Sequence, residues 1–174
     1  SLCDPKYKLS AKELLSALKD YDNSPSLWPA SWWSYLLAGV GLNAVGEINN
    51  ALDSKNKYYI STILSALEYL RSPLNIDPLV PHLSSDDRDI REGVIFLLRD
   101  FGGEKAIPVL YDFVDKQCWY IEKGEIGHVI MALANFGDKG AAVLEKLVIH
   151  DCPKIFEALT DTIEILRWSE GEIE

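Results

Sequence analysis

One short phrase returns about five times along this chain. In one-letter form it is LLAGVG at 36–41, ALEYLR at 66–71, LLRDFG at 97–102, ALANFG at 132–137 and ILRWSE at 165–170. Taking the second apolar residue of each as an anchor gives Leu37, Leu67, Leu98, Leu133 and Leu166. The anchors recur at intervals of 30, 31, 35 and 33 residues. A near-fixed period in this range marks stacked helix–turn–helix units, each unable to bury its apolar face alone. Such stacks mostly present a long surface to something else, which lowers the expectation of catalysis.

The segments between anchors follow one grammar. Polar turns rich in Ser, Asp and Asn supply N-caps, and apolar residues at helical spacing follow. The clearest second helix spans 88–101, with Ile90, Val94, Leu97, Leu98 and Phe101 on its apolar side and Gly102-Gly103 past its end. Before it, Pro78-Leu79-Val80-Pro81-His82-Leu83 closes a first helix, and after it 104–114 forms the next one. The same alternation predicts 43–52 then 57–70, and 139–148 then 154–168. The N-terminal pair is 10–20 and 28–39, joined by Asp22-Asn23-Ser24-Pro25. Within 115–136, Gly124 and Gly127 predict a second helix that starts late or kinks. The expected fold is all-α: a short right-handed α-solenoid of about five helix pairs, one domain over 1–174, with 1–8 and 169–174 as frayed termini.

The stretch Pro78–Leu83, Asp86-Asp87, Ile90-Arg91 and Leu97-Leu98-Arg99-Asp100-Phe101-Gly102, followed by Ala106-Ile107-Pro108-Val109-Leu110, resembles the HEAT-like repeat family. It is similar in particular to the bacterial variety found in phycobilisome lyases. The shared pattern is a Pro-bearing first helix, an Asp turn, a hydrophobic–Arg pair and an apolar–Gly ending. It is clearest over 76–114. The Ile-Arg pair occurs once, with Arg91 expected to pair with Asp86, Asp87 or a turn Asp of a neighbouring unit. The resemblance implies a solenoid whose second helices line a concave face; it implies fold and not chemistry.

Counting from the anchors, with Leu97 in the third unit, offsets −9, −5, −2 and +2 fall opposite the core at ~100° per residue. The stripe so defined begins aromatic and ends acidic. It runs through Trp28, Trp32, Tyr35 and Gly39, then Tyr58, Thr62, Ser65 and Tyr69, then Arg88, Glu92, Ile95 and Arg99. It continues with Gly124, His128, Met131 and Asn135, and closes with Glu157, Asp161, Glu164 and Trp168. Trp and Tyr anchor interfaces, and a carboxylate row meets Lys or Arg on a partner. The competing readings are an end cap for the Trp cluster Trp28, Trp32 and Trp33 and a solvated helix face for the acidic row.

Charge narrows the partner. Seventeen Lys and Arg against 27 Asp and Glu leave a net charge of −10. That argues against nucleic acid, whose phosphates need a basic footprint, and favours a cationic protein. The stripe itself carries only Arg88 and Arg99 as cations. No apolar run approaches the ~20 residues that span a bilayer. Cys3, Cys118 and Cys152 have no metal-type spacing and read as ordinary thiols of a cytoplasmic protein. Gly39-Val40-Gly41-Leu42-Asn43-Ala44 matches a dinucleotide fingerprint, but helical spacing precedes it where a strand is required. His82, His128 and His150 are scattered over three units, and a Cys118–His128 nucleophile–base pair is weaker than simple packing. The sequence thus points to a non-enzymatic protein-binding module without cofactor or metal, such as an inhibitor or immunity-type protein for a basic partner. Two alternatives come from the resemblance: a bilin lyase or chromophore-handling protein, and a HEAT-like DNA glycosylase, for which the stripe is too acidic.

Overall fold

The computed structural model describes residues 9–20, 30–54 and 56–169, with side chains from Ser31 to Ile165 within the last two segments. All regular structure among them is helical: α1 (Ala11–Asp20), α2 (Ala30–Gly39), α3 (Val45–Asn50), α4 (Lys57–Leu70), α5 (Arg88–Phe101), α6 (Ala106–Gln117), α7 (Lys123–Ala134), α8 (Asp138–Val148) and α9 (Pro153–Ser169). None is long and apolar enough to cross a membrane. The chain divides into two compact units, Ser1–Leu97 and Leu98–Glu174.

Local chemistry explains the boundaries. Ser10 Oγ accepts the Glu13 amide at 3.3 Å, and the Glu13 carboxylate accepts the Ser10 amide and hydroxyl, both at 2.8 Å. This reciprocal box satisfies orphan donors at the start of α1. The Asn56 side chain caps α4 by accepting from the Tyr59 amide at 3.2 Å. Asp87 Oδ1 accepts from the Asp89 amide at 3.0 Å at the start of α5. Pro153 opens α9, where its missing N–H costs nothing.

Alternate helices associate in each unit. In the first, α2 packs along α4 while α1 packs on α3. In the second, α7 packs along α9 while α6 packs on α8. The anchors are the reason: Leu37, Leu67, Leu98 and Leu133 are each fully buried. The Leu166 side chain lies outside the described residues. Three polar groups on the buried faces are satisfied locally. Ser34 Oγ donates to the Thr62 carbonyl at 3.2 Å, joining α2 to α4, and Thr62 Oγ1 donates to the Tyr58 carbonyl at 2.9 Å. Thr162 does likewise in α9, donating to the Ala158 carbonyl at 2.8 Å.

At or just past the end of four anchor phrases lies a common backbone feature. Gly41, Gly103 and Gly137 have φ of 94°, 61° and 59°. Arg71 takes the corresponding place after α4 with φ 47°, the one non-glycine of positive φ among the described residues. A left-handed residue after a helix turns the chain back on itself, and glycine does so without a Cβ clash. Beyond Gly137, α8 approaches so closely that a Cβ on Gly140 would overlap the Leu133 carbonyl.

One expectation changes, and one pair of alternatives is resolved. The segment expected to end a first helix at Pro78–Leu83 forms no α-helix; it is a turn followed by a 3₁₀ stretch, Val80–Ser84. Pro78 and Pro81 remove two amide donors within four residues, so the i→i−4 ladder cannot form there. The segment is held instead by His82, whose Nε2–H donates to the Leu52 carbonyl at 2.9 Å. The second helix of 115–136 starts late, at Lys123, and then runs unbroken as α7 through Gly124 and Gly127. The turn at Asp22–Pro25 and the termini expected to fray lie outside the described residues.

Leu133→Ala or Leu98→Ala should each cost ~2–5 kcal/mol in urea denaturation, because each leaves a cavity among packed helices. Arg71→Gly should stabilise the fold by ~0.5–1 kcal/mol in the same assay, since relief of the left-handed strain exceeds the added chain entropy.

Candidate functional site

In the first unit the aromatic part of the stripe is an exposed patch. Trp32, Tyr35 and Leu36 fall at i, i+3 and i+4 on α2 and are 55%, 60% and 45% exposed. Tyr69 of α4, 47% exposed, joins them: its ring stacks on Tyr35 with centroids 4.6 Å apart and planes at 22°. A hydrogen bond to Tyr35 pushes the Tyr69 phenol above its ordinary value. Stacking and hydrogen bonding join the two rings across α2 and α4, so this pair is ordered before anything binds. Tyr58 is half-buried, and Trp28 lies outside the described residues.

The charged members of this unit are held by neighbours. Arg88 Nε donates to Glu92 Oε1 at 2.8 Å, one helical turn on. Arg91 reaches back to donate to the Ser85 carbonyl at 2.8 Å. Lys57, at the start of α4, also meets the turn carboxylates: its ammonium is 2.9 Å from Asp86 and 3.8 Å from Asp87. The hydrogen bond lowers Asp86 below and raises Lys57 above their ordinary values. The stripe is also interrupted: Thr62 and Ile95, expected on it, are fully buried. For Thr62 the cause is the close approach of α2, whose Ser34 sits on its carbonyl.

In the second unit Glu157, Asp161 and Glu164 are all exposed on α9, at i, i+4 and i+7. Lys123 of α7 stands against the middle of this row, its ammonium 2.8 Å from Asp161. That contact, reinforced by Glu157, raises the Lys123 ammonium above its usual value. One of the three carboxylates is thus already partnered, and the row offers less negative charge than its composition suggests. Arg99 pairs with Asp100 at 2.6 Å. Asn135 is exposed and His128 half-buried; the Trp168 side chain lies outside the described residues.

The thiols have a different arrangement from the one weighed in the sequence. Cys118, at the end of α6, is buried against Cys152, in the turn before α9, not paired with His128. The surrounding contacts bind the same two segments. His150 Nδ1 accepts the Cys152 amide at 3.0 Å, which places its proton on Nε2, 3.4 Å from Asp115. Lys154 Nζ donates to the carbonyls of Trp119 and Ile121 at 3.2 and 2.9 Å. Burial, with the neighbouring thiol second, pushes Cys118 up to about 12. A thiol so deactivated is a packing residue and a poor nucleophile. Sequence reasoning also missed Glu125, a carboxylate fully buried in α7; a charged residue between two glycines carries no periodic signal of its burial.

Gly39–Ala44 follows a helix, α2, and not a strand, so the phosphate-cradling geometry of the dinucleotide fingerprint is missing. No protein-family model, curated protein or solved structure matches this chain.

An unfolded thiol loses its proton near 9, whereas folded Cys118 holds it to about 12. Between those values the unfolded chain binds fewer protons, so stability should fall as pH rises from 9 toward 12. Denaturation midpoints measured across this range should show the fall, and a Cys118→Ala variant should show a shallower one.

Proposed function

We propose that this chain is a non-enzymatic protein-binding module of the HEAT-like solenoid type, acting as an acidic inhibitor or immunity-type protein toward a cationic partner. The observation that carries the reading is the exposed aromatic patch of Trp32, Tyr35, Leu36 and Tyr69, with its stacked tyrosine pair. Large aromatic side chains held in place and left in solvent are the usual anchors of an interface, because little side-chain entropy remains to be lost. Their exposure favours a binding patch over the alternative role of end cap for Trp32. The resemblance of 76–114 to HEAT-like repeats and the alternate-helix association within each unit support the solenoid reading. In that reading the second helices line the concave face.

Charge supplies the second element. With a net charge of −10, encounter with a basic protein is accelerated and salt-sensitive. Glu157 and Glu164 form no ion pair among the described residues, and Asp161 becomes available when a partner Lys or Arg displaces Lys123. The neighbouring α7 residues His128 and Asn135 would contribute polar contacts, while Arg88, Glu92 and Arg99 serve mainly to order their own helix. The cysteines, without metal-type spacing, read as ordinary thiols of a cytoplasmic protein.

Affinity capture from the native lysate tests the reading. Wild type should retain a basic protein, with less retained as salt rises. Trp32→Ala/Tyr35→Ala and the charge reversal of Glu157, Asp161 and Glu164 should each reduce capture about tenfold or more. Equal capture by all three proteins, or a captured partner without excess positive charge, would overturn it.

A further inference from the structure

The first unit contains a groove of about 280 Å³ that the protein-binding reading does not use. It lies where α1, α3 and α4 meet. Lys12, Ser16 and Lys19 reach it from one face of α1, Glu47 from α3 and Tyr59 from α4, and Leu15 supplies apolar surface. Two features set it apart. Its wall has two ammonium groups against one carboxylate, a local positive balance in a chain of charge −10. Neither lysine pairs with a carboxylate among the described residues, whereas Lys57, Lys116, Lys123 and Lys139 each do.

The second feature is Tyr59. It is 1% exposed, and its buried hydroxyl has no hydrogen-bond partner among the described residues. A buried O–H left unpaired is costly and uncommon, and it calls for an explanation. Lys19 lies over the ring, with its ammonium 5.6 Å from the centroid. Lys19 is itself exposed, so a small rotation of its side chain moves the ammonium off the ring without disturbing the helix.

We propose that this groove binds a small organic acid. Lys12 and Lys19 hold its carboxylate, with the Ser16 hydroxyl as a further donor. Its apolar body rests on Leu15 and on the Tyr59 ring uncovered by Lys19. The Tyr59 hydroxyl donates to an oxygen of the ligand, and Glu47 accepts from a donor at the ligand's far end. A carboxylate suits the pair of ammonium groups because charge-assisted hydrogen bonds are the strong ones. An apolar body suits the walls because a pocket of this kind gains most of its affinity from buried apolar area, with a few polar groups fixing orientation. The binding is independent of the aromatic patch, which lies on the α2 side of the same unit.

Calorimetric titration of the full chain with benzoate tests the proposal, with benzylamine as the cationic counterpart and inorganic phosphate as the anion without an apolar body. Benzoate should bind and raise the melting temperature, and benzylamine should do neither. Lys12→Gln/Lys19→Gln changes only exposed side chains and should fold normally by circular dichroism while losing about tenfold or more in benzoate affinity. Tyr59→Phe removes the unpaired hydroxyl; it should melt no lower than wild type yet bind benzoate several-fold more weakly. Absence of benzoate binding, equal binding by the lysine variant, or equal binding of benzylamine would overturn the site. Phosphate binding as tight as benzoate would overturn the organic body.

Discussion

The second helices α2, α4, α5 and α7 must each stop at one place and reverse, and the backbone does this with a residue of positive φ. Gly41, Arg71, Gly103 and Gly137 occupy the same point of successive phrases, four or five residues after the buried leucine anchor. The two features depend on each other. The anchor fixes how deep the helix sits, and the reversal fixes where the next element begins. If the helix ran on by one turn, the following apolar segment would leave the face that buries it. The close approach of Gly140 to the end of α7 shows how little room the reversal leaves.

From this constraint follows the division of labour between surfaces. Alternate helices lie side by side, so α2 and α4 share one boundary and α7 and α9 another. Where the boundary is deep, polar side chains turn inward and are satisfied, as Ser34 and Thr62 are. Where it reaches solvent, side chains from both helices can combine into one feature: Tyr35 and Tyr69 stack across the α2–α4 boundary, and Lys123 meets Asp161 across the α7–α9 boundary. The proposed interface and the proposed acid-binding groove both arise at such junctions, not along a single helix.

Periodicity made most of the fold legible. The limits of α4 and α5 follow from their caps, Asn56 and Asp87, and from the apolar spacing between. It failed at 76–84, where two prolines forbid the ladder that the repeat grammar expects, and at Thr62 and Ile95, which helical offsets place outward. An offset gives a direction from the helix axis; whether that direction meets water depends on the neighbouring helix. The Asp turn shows the same gap: its carboxylates were visible in the sequence, but that Lys57, some thirty residues away, meets them was not.

The sequence by itself determined that the chain is helical, where most helices begin and end, which leucines are buried, and that the protein is strongly acidic. These are properties of local spacing, capping and composition, and each is decided within a few turns of chain. Only the tertiary structure decided that Tyr35 lies on Tyr69, that Lys123 neutralises part of the acidic row, that Cys118 meets Cys152, and that Tyr59, its buried hydroxyl without a partner among the described residues, lines one groove with two lysines. Each of these joins residues about thirty or more positions apart. Their meeting depends on how one helix lies along another, and no local pattern carries that geometry.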